Sequence, residues 1–80
     1  MMVFVKFNSL SRKRIFYFVG ASIEDVLADV RGFDLTPDEI KNHKIISEKM
    51  ARSLNLGYLE RGIADIKDGT TKSFMLRSPR

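Results

Sequence analysis

Two helix-start signals stand eleven residues apart in the middle of the chain, and they constrain the fold more than any other feature. The first is Thr36-Pro37-Asp38-Glu39. Thr36 is a capping type, Pro37 suits the first helical position where no N–H is needed, and Glu39 can reach back to the cap. The second is Ser47, also a capping type, followed by Glu48 and Lys49. One unbroken helix from Pro37 to Leu54 would put Ile40, Ile46, Met50, Ala51 and Leu54 on a common side. At about 100° per residue it would also turn Ile45 roughly 140° from Ile40, among Lys41, Lys49 and Arg52. A break near Lys44-Ile45 removes that conflict, because both isoleucines can then turn inward. The spacing predicts two short helices meeting at a corner. The second starts near Glu48 and carries Met50, Leu54 and Tyr58 along one side, with Gly57 weakening it by about 1 kcal/mol relative to alanine.

Upstream, Ser22 is a good N-cap with Asp25 three residues on. Ile23, Val26, Leu27 and Val30 then form one helical stripe. Gly32 is the natural residue beyond the helix end, and Phe33 can make the apolar contact that follows. This predicts a helix over Ser22–Arg31. Residues 2–8 alternate, with Val3, Val5 and Phe7 on one strand face and Phe4 and Lys6 on the other. Residues 14–19 are a second strand rich in aromatic and β-branched types. The polar run between them makes a β-hairpin with Arg12, Lys13 and Arg14 at its tip. Downstream, Ile63 to Lys67, Asp68-Gly69 and Thr70 to Arg77 read as another hairpin, since Asp-Gly is a strong two-residue turn signal. Ile63 would then pair across from Phe74, and Ser78-Pro79-Arg80 is a frayed tail.

Eighty residues make one domain, and a chain this short buries only about 60% of the surface it exposes when unfolded. The longest apolar run, Ile15 to Val19, is far too short to span a bilayer. Met1 to Phe7 has neither an h-region nor a cleavage site, so no secretory leader is expected. No cysteine is present, which rules out disulfides and fits the cytoplasm. The net charge of +4 is uneven. Residues 1–20 hold Lys6, Arg12, Lys13 and Arg14 and no acid, and residues 69–80 hold Lys72, Arg77 and Arg80 and no acid. Basic excess in the two β-rich ends is the footprint of a nucleic-acid binder, although a charge of this size also serves plain solubility.

Enzyme chemistry finds no constellation. His43 is the only histidine and reads as a packed or half-buried residue rather than a base. No second histidine or cysteine gives zinc-ligand spacing, no glycine-rich phosphate loop exists, and no cofactor or metal is expected. Asp38 and Glu39 are explained by helix-start electrostatics. The serines lack an evident base. Phe4, Phe16, Tyr17 and Phe18 could stack RNA bases on a sheet, but aromatics in strands are usually core and no G-F-G-F run accompanies them.

The order is hairpin, three helices, hairpin. V-L-A-D-V-R-G-F-D-L-T-P-D-E-I resembles the opening of many winged helix-turn-helix regulators. I-S-E-K-M-A-R-S-L-N resembles their turn and recognition helix, and Y-L-E-R-G-I with A-D-I-K-D-G-T-T-K-S-F-M-L resembles the exit from that helix and the wing. The resemblance covers about Ser22 to Arg77. The chain departs from the family in having no glycine in the turn, Gly57 in place of a large residue, and an extra hairpin in front. The resemblance implies an α+β fold, three helices with a C-terminal wing. It implies sequence-specific binding of duplex DNA by a small transcriptional regulator or replication accessory. Its DNA-facing positions fall on Ser47, Glu48, Lys49, Arg52 and Ser53. Arg52 would grip guanine O6 and N7, and Lys49 and Ser47 would take phosphate. Glu48 would accept from a cytosine amino group or simply pair with Arg52. Lys67, Thr70, Thr71 and Lys72 would flank the wing tip. Arg12, Lys13 and Arg14 would clamp the DNA backbone, or else protect an edge strand. The aromatic hairpin could also form a homodimer interface. The competing expectation is a small module that binds a protein, such as a viral or plasmid-type inhibitor or adaptor. Joint exposure of Ile45, Leu56 and Leu59 would favour it.

Overall fold

The computed structural model describes residues 2–33, 35–54 and 57–76. Its strands and helices follow in the order β1 (Val3–Ser9), β2 (Arg14–Gly20), α1 (Ile23–Val30), α2 (Pro37–Lys41), β3 (Lys44–Ile46), α3 (Glu48–Ser53), α4 (Leu59–Asp68) and β4 (Ser73–Leu76). The architecture is α+β, one antiparallel sheet in the order β3-β1-β2-β4 with helices on both faces. No described helix is long and apolar enough to cross a membrane.

The N-terminal hairpin forms as its alternation predicts, in register from Val3 opposite Gly20 to Ser9 opposite Arg14. It is not an appendage. β1 and β2 are the two inner strands, so both of their faces need cover. Val5, Phe7 and Phe18 pack with Val26 and Val30 of α1 and with Leu35 and Ile40 around α2. Phe4 and Val19 face the other way and pack with Ala51 of α3 and with Leu59 and Ile63 of α4. A two-sided strand explains why residues 3–7 and 15–19 are nearly continuous apolar runs. Of the hairpin's aromatic residues, Phe4 and Phe18 are buried within the fold, while Phe16 and Tyr17 are half-buried.

Helix α1 matches its stripe. Ser22 Oγ accepts from Asp25 N–H at 3.2 Å, and Phe33 turns back edge-on to Phe18 at 5.2 Å between ring centroids. Helix α2 opens with the capping box that Thr36 and Glu39 foreshadow. The chain breaks where the isoleucine conflict requires, and the segment between the helices pairs with β1 as strand β3. That pairing turns Ile46 inward and leaves Ile45 62% exposed, so of the two conflicting isoleucines Ile40 is packed and Ile45 is not. His43 is half-buried, with Nδ1 2.9 Å from the Ile40 carbonyl and its ring against Phe7.

Two expectations fail. The second corner helix ends at Ser53, so Met50 and Tyr58 are exposed and Ala51 is the buried residue. Nor is there a hairpin over residues 63–77 among the described residues. Leu59–Asp68 is helix α4, with Leu59, Ile63 and Ile66 facing the sheet, and Phe74 lies opposite Val19 rather than Ile63. Asp68-Gly69 ends a helix instead of turning a hairpin. Gly69 has φ 78°, and its N–H reaches the Ile66 carbonyl while Thr70 N–H reaches that of Asp65, the closure in which glycine escapes a Cβ clash. Among the described residues the expected wing hairpin does not form, and four helices stand where three were expected. The expected wing end at Arg77, the tail Ser78–Arg80 and the exposure of Leu56 lie outside the described residues.

Gly62 lets α4 approach the sheet: a Cβ there would run into the ring of Phe74. Gly62→Ala gains about 1 kcal/mol of helix propensity. Overpacking a fitted contact costs about 1–3 kcal/mol. We expect a net loss, read as a lower urea midpoint, that the pair Gly62→Ala/Phe74→Leu recovers. A single variant as stable as wild type would mean that the ring yields freely.

Candidate functional site

The sequence marks three groups of residues for DNA contact, and the fold separates them. β1 and β2 run seven residues each, which at about 3.3 Å per residue puts roughly 20 Å between the two ends of the sheet. The tip with Arg12, Lys13 and Arg14 is at one end, next to the Ser9–Arg14 pair. Lys67, Thr70, Thr71 and Lys72 are at the other, where Ser73 pairs with Gly20 and Ala21 N–H donates to the Lys72 carbonyl at 2.9 Å. They belong to the last turn of α4 and the connection to β4. Thr71 Oγ1 is engaged with the Ser73 carbonyl at 3.0 Å.

The corner helix α3 is short of free donors. Ser47 caps it, accepting from Met50 N–H at 3.0 Å, and Ser53 Oγ donates to the Met50 carbonyl at 2.6 Å. Arg52 donates from Nε to Glu48 Oε2 at 2.9 Å, with Nη2 at the same distance from that oxygen. Its Nη1 donates to Glu60 of α4. The hydrogen bonds to Glu60 and then Glu48 push the guanidinium pKa up. The fork needed to read guanine is thus already occupied by two carboxylates, and Glu48 takes the pairing role. Lys49 alone of the five is exposed without a side-chain partner among the described residues.

Lys13 and Arg14 at the tip are in the opposite condition. Residues 10–14 are all exposed. Lys13 sits at φ 54°, the left-handed region where glycine or asparagine is preferred over a long side chain. Glu39, 7% exposed, holds the tip from beneath. Its Oε2 accepts from Ser11 N–H and Ser11 Oγ at 3.1 Å and from Ser9 Oγ at 3.3 Å, while Oε1 accepts from Thr36 N–H at 2.9 Å. These donors, the Thr36 and then the Ser11 N–H foremost, lower its carboxyl pKa to about 2. The Glu39 charge is spent on hydrogen bonds, while Lys13 and Arg14 make no side-chain hydrogen bond or ion pair among the described residues.

Two cations not singled out in the sequence lie nearby. Lys6 of β1 is directly opposite Lys44 of β3, and neither has an anionic partner among the described residues. Lys44 also lines a hollow of about 490 Å³ with Leu10, Ser11, Thr36 and Asp38. The signal for Lys6 was its interruption of an otherwise apolar strand. A second hollow, about 310 Å³ between α4 and β4, holds Arg61 and Asp65 and so has no excess of either charge.

No protein-family model, no curated protein and no solved structure matches this chain.

Glu39→Gln tests the hold on the tip. A carboxyl with a depressed folded pKa contributes stability that is present above its unfolded value and lost as pH falls through the folded one. The deficit of the variant should be widest above pH 4.5 and shrink toward pH 2, measured by urea unfolding across that range. A deficit independent of pH would show that the ionised form has no special role.

Proposed function

We propose that this chain binds duplex DNA through its phosphates, with the β1–β2 tip as the principal contact. The carrying observation is the tip itself: three successive basic residues, Lys13 in a left-handed conformation, on a hairpin end held by buried Glu39. Local strain is retained where the surrounding structure enforces it, and often at functional positions. A two-stranded ribbon is narrow enough to enter the major groove, and arginines suit phosphate and narrow minor grooves. What remains of the helix-turn-helix resemblance, the corner between α2 and α3, adds Lys49 as an exposed cation apart from the tip. Base reading by Arg52 is not part of this reading, because Glu48 and Glu60 hold its guanidinium. Binding is therefore driven by charge, with sequence preference weak.

Protein docking receives less support. Of the residues that would have favoured it, Ile45 is exposed but Leu59 is buried.

A salt titration of duplex binding decides the matter. Each phosphate contact contributes about 0.9 to the slope of log affinity against log salt. Arg12→Ala/Lys13→Ala/Arg14→Ala should flatten that slope by up to about three units, while Arg52→Ala leaves it unchanged. Binding insensitive to salt in the unaltered chain would end the proposal. Lys13→Gly separates charge from fold. It relieves the left-handed strain, so its melting temperature should hold or rise while duplex affinity drops. Unchanged affinity would remove Lys13 from the interface.

A further inference from the structure

The sheet face beneath α3 and α4 is not covered along its whole length. Its first cross-strand row, Ile46-Phe4-Val19-Phe74, is sealed at the centre, where Phe4 and Val19 are buried. The next row toward the tip is Lys44-Lys6-Tyr17-Leu76. There the cover recedes: Leu76 is buried, Tyr17 and Lys6 are half-buried, and Lys44 is exposed. In the last row Asn8 is exposed and Ile15 is 47% exposed.

Directly opposed residues on neighbouring antiparallel strands have Cβ atoms about 5 Å apart, and like charges in that position repel. The chain places two lysines there, and neither makes an ion pair among the described residues, although Asp38 lines the hollow beside Lys44. The register fixes the pair, since Phe4–Ile46 and Lys6–Lys44 belong to one ladder. We propose that Lys6 and Lys44 form a clip that grips a single phosphodiester between their ammonium groups, on the open part of the sheet face beside the tip. The bound anion removes the repulsion that the free protein carries. Two ammonium groups on a rigid ladder hold one phosphate in a fixed place, whereas the tip contacts are spread over an exposed turn. The clip rests on the reading of the chain as a duplex binder and gives it a second point of attachment, which sets the angle at which the hairpin meets the backbone.

Charged side chains on edge strands also serve to block strand pairing. Glutamate would serve that role at Lys44 as well as lysine does, so Lys44→Glu distinguishes the two. The experiment is a salt titration on the full chain, with a duplex of about two helical turns as probe. It is run on Lys6→Ala, Lys44→Ala, the double variant, Lys44→Glu and the triple tip variant, with thermal melting of each protein alone. Because one phosphate is shared, each single variant should flatten the slope by about one unit, and the double variant by no more. Lys44→Glu should melt above wild type at low salt and bind more weakly than Lys44→Ala. An unchanged slope in the lysine variants, with a flattened slope in the tip variant, overturns the clip and leaves the duplex reading standing. Strictly additive losses overturn the sharing of one phosphate. A lower melting temperature for Lys44→Glu overturns the repulsion. Absence of salt-dependent binding in wild type overturns the clip together with the reading on which it rests.

Discussion

The structure depends on one constraint: a hairpin that is apolar on both sides must be covered on both sides. Val5, Phe7 and Phe18 require one layer of helix, and Phe4 and Val19 require another. Eighty residues must supply both layers. The helices are consequently short, from five residues in α2 to ten in α4, and each contributes only a few side chains. In a domain of this size most helical stability comes from packing an amphipathic face rather than from intrinsic propensity. The capping interactions at Ser22, Thr36 and Ser47 matter for the same reason, since a single turn lost from such helices removes much of their contact with the sheet.

Thin cover has a second effect. The sheet is longer than the helices laid across it, so one end emerges. At that end the chain places Lys6, Arg12, Lys13, Arg14 and Lys44, and the nearest carboxylate beneath the tip, Glu39, is consumed by hydroxyl and amide donors. The contrast with α3 is electrostatic. A guanidinium that bridges two carboxylates offers little to an incoming phosphate, whereas unpaired ammonium groups on a rigid ladder present an uncompensated field. Which of these cations stand without an ion pair among the described residues follows from the pairings inside the fold, not from where basic residues cluster in the sequence.

Much of this was legible in the residues. The stripe from Ile23 to Val30, the capping box at Thr36 and the break before Ser47 all follow from periodicity and caps, and all are present. The front hairpin was legible, but its place at the centre of the sheet was not. The continuous runs at residues 3–7 and 15–19 carried that information, and reading only their alternation discarded it. Helix α4 was hidden by two glycines with other meanings. Gly62, within the helix, weakens any helical reading, yet it is there for the Phe74 ring. Asp-Gly serves hairpin turns and helix ends alike, and only the spacing of Leu59, Ile63 and Ile66 separates the two. The candidate site was half legible: the tip stands out as a basic run, whereas Lys6 and Lys44 become neighbours only through a strand pairing that no local pattern reveals.

The strand order has a consequence for synthesis. The inner hairpin precedes, along the chain, every element that shelters it, and its outer neighbour β4 ends only at Leu76. Until those later residues are made, two aromatic strands with open edges are accessible to other nascent copies, the state from which cross-β assembly starts. A lysine in the midst of the first strand interrupts its apolar run and lowers its tendency to stack on itself. The charge on Lys6, set between Val5 and Phe7, opposes that stacking in the interval before folding is complete.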